Sequence, residues 1–203
     1  INGAPLTNGG LVLPERVKRI PNYYFNAASF VSVTIPASIE YIGNNAFSSA
    51  TMTSITFAEG TAERPRAGFT LGYNAFSGCK NVSTLHIPNS IKKFEGIYPY
   101  TKSVGSGSYC VHGAFSSMSK LASVTFEEGV QRIGTGMFYG SGLTTATVVL
   151  PNSLVIIEDA AFATAKFASV TFGEKLATIG KDAFYNMANL TTVDFSANKK
   201  LSS

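Results

Sequence analysis

The sequence predicts a repeat solenoid, in which short parallel β-strands stack coil upon coil and short 3-10 or irregular turns form the opposite side. Three recurrences predict it. A Phe returns at Phe25, Phe47, Phe76, Phe115, Phe138, Phe162 and Phe184, with separations of 22, 29, 39, 23, 24 and 22 residues. Five residues before each Phe stands Ile20, Ile42, Leu71, Cys110, Ile133, Ile157 or Ile179. Twelve residues before five of the seven Phe ends an apolar–polar–apolar triplet, such as Val33-Thr34-Ile35 or Val170-Thr171-Phe172. Self-similarity at a period of 20–50 residues is the mark of stacked repeat architectures.

Each element has a physical reason. A triplet with β-branched residues and apolar ends is a half-buried strand. Four triplets run into Pro14, Pro36, Pro88 and Pro151, and Pro, which donates no backbone hydrogen bond, ends the ladder there. A unit of about 22 residues cannot bury its apolar face alone. Stacking solves this by aligning the triplets into a parallel ladder and the Phe rings into a spine. Gly43, Gly72, Gly134 and Gly180 follow the Ile-type residue and are expected to permit a turn. The repeats run from 11 to 192, and Val193-Asp194-Phe195 starts an eighth, so residues 1–203 form one array.

Composition limits the function classes. Hydrophobic residues make up 45% and charged residues 14%, which excludes a disordered chain. The net charge of +4 comes from scattered Lys and Arg, so no nucleic-acid tail is legible. Neither Cys79 nor Cys110 sits in a metal-binding spacing. Both are read as small buried residues, against a disulfide or a reactive thiol as alternatives. No apolar run approaches the ~18 residues of a membrane span. The N-terminus, Ile1-Asn2-Gly3-Ala4-Pro5, has no charged n-region or apolar h-region, so no signal peptide is legible.

No catalytic constellation, cofactor motif or metal site is expected. Asp159, Asp182 and Asp194 fall in different repeats, and His86 and His112 occupy solvent-facing slots. Asn81-Val82-Ser83 and Asn189-Leu190-Thr191 match glycosylation sequons but lie in repeat turns.

The segments Ile35-Pro36-Ala37-Ser38-Ile39-Glu40-Tyr41-Ile42-Gly43-Asn44-Asn45-Ala46-Phe47 and Ala75-Phe76-Ser77-Gly78-Cys79-Lys80-Asn81-Val82 resemble the BspA-like branch of leucine-rich repeats. The resemblance implies a leucine-rich-repeat-like right-handed superhelix, mostly β and coil. It also implies a bacterial or protist protein that is secreted or at the cell surface, with adhesion to a host or neighbouring-cell protein or glycan as its role. A passive spacer that presents another domain is the alternative.

Two surfaces could carry recognition. The outward ladder residues, including Ser32, Thr34, Ser54, Thr56, Thr84, Ser123, Thr125, Ser169, Thr171 and Thr192, form an almost uncharged hydroxyl face. Such a face suits polar contacts, yet stacked Thr also occurs by default. The second surface is an edge built by two insertions, near 58–70 and 92–109. It offers Arg64, Arg66, Phe69, Lys92, Lys93, Phe94, Tyr98, Tyr100, Lys102 and Tyr109 as ligand-binding candidates. The competing reading is that the two loops merely cover each other. Phe69 is expected in an exposed loop, where its truncation would cost far less than that of a spine Phe.

Overall fold

The computed structural model describes residues 6, 7, 9–95 and 113–198. The chain winds as a β-solenoid of about eight coils, and no described residue is helical. The coils touch along three stacked ladders.

The first ladder consists of the expected triplets: Gly10–Val12, Ser32–Ile35, Ser54–Phe57, Thr84–Ile87, Ser123–Phe126, Thr147–Val149, Ser169–Thr171 and Thr192–Asp194. Pairing is parallel and in register, as in Val33↔Ile55 and Val148↔Val170. Alternation sends Val33, Ile35, Val148 and Val170 inward and leaves Thr56, His86 and Val149 exposed. Leu6–Thr7 pairs antiparallel with Gly10–Val12 and covers that edge. Hydrogen bonding along the ladder is interrupted twice, after Ser54–Phe57 and after Ser123–Phe126.

The second ladder was not anticipated. Two- to four-residue strands, Arg19–Ile20, Tyr41–Ile42, Phe69–Leu71 and Ile91–Phe94, pair in one sheet, and Arg132–Ile133, Ile156–Ile157 and Thr178–Ile179 in another. This ladder carries the Ile-type residue of six repeats: Ile20, Ile42, Leu71, Ile133, Ile157 and Ile179. It corrects the expected role of the glycines that follow. None of Gly43, Gly72 or Gly180 has a positive φ, but a Cβ on each would stand 2.5 Å from the preceding coil's backbone. These glycines permit close approach between coils rather than a turn.

The third ladder runs along the turns around each Phe. Residues two after each of the seven spine Phe are left-handed: Ala27, Ser49, Gly78, Ser117, Gly140, Thr164 and Asn186, with φ from 51° to 69°. Residues two before it are left-handed as well at Tyr23, Asn45, Asn74, Gly136, Ala160 and Asp182. The alternation of right- and left-handed residues sends every second N–H to the next coil, while those between bond back within their own turn, as Tyr24 N does to Pro21 O and Asn26 N to Tyr23 O. The bonds between coils accordingly run one way here, from one coil to the next: Phe25 N donates to Ala46 O at 2.7 Å, Phe47 N to Ala75 O at 2.7 Å, and Phe138 N to Ala161 O at 2.8 Å.

Side-chain amides and carboxylates reinforce the stacking. Asn22 Oδ1 accepts Asn44 N at 2.8 Å, Asn44 Oδ1 accepts Tyr73 N at 2.9 Å, and Asp159 Oδ1 accepts Lys181 N at 2.8 Å. Asp159, one of the scattered acids of the sequence, is therefore a link between coils. The two sequon asparagines serve similarly: Asn81 Nδ2 donates to Thr51 O and Asn189 Nδ2 to Lys166 O, each at 3.0 Å.

The core sits inside the coils on the Phe spine. Adjacent rings stack nearly parallel, with centroids 4.9 Å apart for Phe47–Phe76 and 5.3 Å for Phe138–Phe162. Phe47, Phe76, Phe115, Phe138 and Phe162 are wholly buried. Cys79 lies beside this spine, and its Sγ–H donates to Phe47 O at 3.1 Å. Burial pushes its thiol up to about 12. In a Cys110→Ser background, thiol titration of the native protein should leave Cys79 unlabelled until denaturant is added; prompt labelling would place this slot at the surface.

Candidate functional site

The structure divides the ten candidates of the insertion edge. Phe69 is a correction. It opens the strand Phe69–Leu71, is 2% exposed, and stacks on Phe57 with centroids 5.7 Å apart. It belongs to the core because the second ladder begins two residues earlier than the Ile-type residue in this coil. Phe94 is corrected too. It is half-buried in the strand Ile91–Phe94, pairs opposite Leu71, and packs against the core. A Cβ on Gly134 of the following coil would meet its ring at 2.7 Å. Phe94 thus takes the ladder slot that sequence spacing assigned to Cys110.

Arg66 is committed to the fold. Its side chain is 10% exposed. Nη1 lies 2.9 Å from Glu127 Oε2, Nη2 contacts Glu59, and Nε donates to Ala58 O at 3.3 Å. Burial pushes the Glu127 carboxyl up, but the Asn89 N–H and then Arg66 outweigh burial and hold it below the ordinary carboxylate value.

Arg64, Lys92 and Lys93 are exposed as expected. Arg64 ends a tight turn in which its N–H donates to Thr61 O and Thr61 Oγ1. The Lys92 stem lies over Gly68, and its Nζ donates to Asn89 O at 2.7 Å. Tyr98, Tyr100, Lys102 and Tyr109 lie outside the described residues, as do Cys110 and His112.

Sequence reading missed one cluster on the second ladder. The Arg19 guanidinium lies over the Tyr41 ring, 4.3 Å from its centroid. Tyr41 Oη donates to Glu95 Oε2 at 3.1 Å, reaching past the intervening coil. Burial, then Glu95, raises the Tyr41 phenol. Neighbouring pairs are Lys18–Glu40 at 2.8 Å and Arg132–Glu158. Only the stacking of separate repeats creates these pairs, so no local motif announces them.

The hydroxyl face is present, and part of it is engaged with itself. Thr147 Oγ1 and Ser169 Oγ are 2.6 Å apart, Ser169 Oγ also reaches Ala146 O, and His86 Nδ1 lies 3.0 Å from Thr125 Oγ1. Among the described residues no group of His, Cys, Asp and Glu could hold a metal ion. No described helix is long and apolar enough to cross a membrane.

Three solved structures share this fold. A leucine-rich repeat protein from Bacteroides ovatus superposes with a TM-score of 0.58 at 20% identity, over 91% of this chain and 48% of that one. The pneumococcal vaccine antigen PcpA gives 0.53 at 19% identity, over 92% and 50%. A leucine rich cell surface protein from Faecalibacterium prausnitzii gives 0.51 at 16% identity, over 93% and 60%. The chain spans about half to three-fifths of the length of these proteins. No curated protein matches it. The model of the BspA type leucine-rich repeat region matches six copies over residues 6–97 and 107–203, and with the coil register described above this places the chain in the BspA-type leucine-rich repeat family.

Proposed function

We propose that this chain is a non-enzymatic recognition or adhesion module of a bacterial cell surface, and that it binds a host or neighbouring-cell protein or glycan at the insertion edge. The observation that carries this reading is the exposure of Arg64, Lys92 and Lys93 on neighbouring coils at the place where the repeats depart from their pattern. Insertions confined to one side of a solenoid commonly mark its binding side. The surface location is supported by the family and by the likeness to a leucine rich cell surface protein and a vaccine antigen. Tyr98, Tyr100, Lys102 and Tyr109 belong to the same proposed site. Phe69 and Phe94 do not, because the core holds them.

The spacer reading draws support from a different observation. Many surface charges and hydroxyls pair between coils, as in Lys18–Glu40 and Thr147–Ser169, so they stabilise the array and offer less to a partner. A binding screen across soluble proteins and glycan arrays separates the two. For a ligand so found, Tyr98→Ala with Tyr100→Ala should leave the melt nearly unchanged. It should weaken binding by about 1–2 kcal/mol, as expected for truncated hot-spot aromatics. Undiminished binding to the double variant and to one with both insertions trimmed moves the site to the hydroxyl face. A screen negative throughout favours the spacer.

A further inference from the structure

We propose that the insertion 58–68 is a latch, closed by Arg66 on Glu127 and opened when Glu127 takes up a proton. The argument begins with where the segment is held. At its base Ala58 N donates to Ile35 O at 2.8 Å, and Ala67 N donates to Ala37 O at 3.0 Å. Between these, Thr61 and Arg64 close a turn on each other through Thr61 N to Arg64 O and Arg64 N to Thr61 O. The tip carries the exposed Glu63 and Arg64. One side chain, Arg66, ties it to a coil two further along: Arg66 Nη1 reaches Glu127 Oε2 at 2.9 Å. The same oxygen accepts Asn89 N of the intervening coil at 2.8 Å. A single carboxylate thus joins the insertion to two coils, beside the first interruption of the strand ladder.

The groups around Glu127 set the direction of the switch. From the insertion, Arg66 faces it, with Glu59 on the guanidinium's other side. From the neighbouring strand comes His86, which favours the ionised form, as the Asn89 N–H does from the connector. Lys92 is turned to Asn89 O, and Glu128 is engaged with Asn152 N and Ser153 N of the next coil. The groups that hold the Glu127 carboxylate, the Arg66 guanidinium and the Asn89 N–H, are a cation and a donor, and both lose their partner's charge on protonation. Because the folded carboxyl sits below its ordinary value, closure is complete above that value and is lost as pH falls through the folded one. Opening releases the tip turn while the spine stays stacked. The latch does not depend on any ligand and would survive the failure of the recognition reading.

Amide hydrogen exchange on the whole chain tests it, expressed as protection factors so that intrinsic pH effects cancel. The reporter is Ala67 N–H and the reference is Phe138 N–H, which donates to Ala161 O in the spine. Between pH 7 and pH 3.5, Ala67 should lose protection severalfold, up to roughly tenfold, as the lowered Glu127 carboxyl takes up its proton, while Phe138 holds. Glu127→Gln at pH 7 should expose Ala67 as acid does in the parent and abolish the pH dependence; Arg66→Gln should do the same. Full protection of Ala67 in Glu127→Gln, or equal loss at Ala67 and Phe138 on acidification, overturns the latch.

Discussion

Phe138→Ala should lower the unfolding free energy by about 3–5 kcal/mol, the usual cost of emptying a buried aromatic site. Phe138 is wholly buried and stacks on two rings, Phe115 at 6.0 Å and Phe162 at 5.3 Å, while Phe126 meets it edge-on at 6.0 Å. Truncation leaves a gap that neither neighbour can close, because each is fixed in its own coil by hydrogen bonds along the turns. In a solenoid the loss falls on one coil and its two junctions, so it weakens the coupling between the halves of the array. Urea unfolding should show a lower midpoint and, if coupling fails, two transitions in place of one. Phe25→Ala should cost less, since Phe25 is half-buried and stacks on one spine neighbour, Phe47. Equal losses at Phe25 and Phe138 would mean that the stacked spine does not carry the stability. Phe69→Ala now belongs with the costly changes, because that ring is buried on Phe57.

The spine and the first ladder were legible because each repeats a pattern long enough to show a period. Leu11, Val33, Val148 and Val170 alternate with outward residues as the triplets require. The second ladder was not legible, since strands such as Arg19–Ile20 and Tyr41–Ile42 are too short for alternation to register. A usable signal for Phe94 existed nonetheless. Ile42 and Ile157 each stand six residues after a strand-ending proline, Pro36 and Pro151, and Phe94 stands six after Pro88. Counting backward from Phe115 instead crosses the insertion and lands on Cys110. The turn ladder was hidden for another reason. Its left-handed slots accept Tyr23, Ala27, Ser49, Ala160 and Thr164, so no glycine signature marks them; contacts between coils hold them there. At the candidate edge, sequence chemistry chose Arg and aromatic residues correctly as strong interactors. For Arg66 and Phe69 the partners proved to be internal: Glu127 lies 61 residues from Arg66, beyond any local window, and Phe57 meets Phe69 only because the two strands belong to different ladders of one coil.

Gly72→Ala should be a severe change for a single methyl group, at about 3 kcal/mol or more. The added Cβ would stand 2.5 Å from Gly43 C, 2.6 Å from Asn44 N and 2.7 Å from Asn44 Oδ1. Two of these atoms are backbone and cannot rotate away, so the two coils must separate. Separation stretches Gly72 N to Ile42 O, now 2.7 Å, and Tyr73 N to Asn44 Oδ1, now 2.9 Å. Overpacking costs roughly 1–3 kcal/mol and each weakened hydrogen bond about 1 kcal/mol. Gly140→Ala supplies the comparison. Gly140 has φ +63°, and the nearest atom to its Cβ position, Thr164 Oγ1, is 3.7 Å away. There only the left-handed backbone is penalised, by about 1 kcal/mol, in a slot where other coils already hold Ala27, Ser49 and Thr164. Urea melts of the two variants decide between close approach and conformational freedom as the reason for the repeat glycine. If Gly140→Ala costs as much as Gly72→Ala, freedom of the backbone governs and the contact does not. A Gly72→Ala loss well above that of Gly140→Ala means that the spacing between coils is set by the missing side chain.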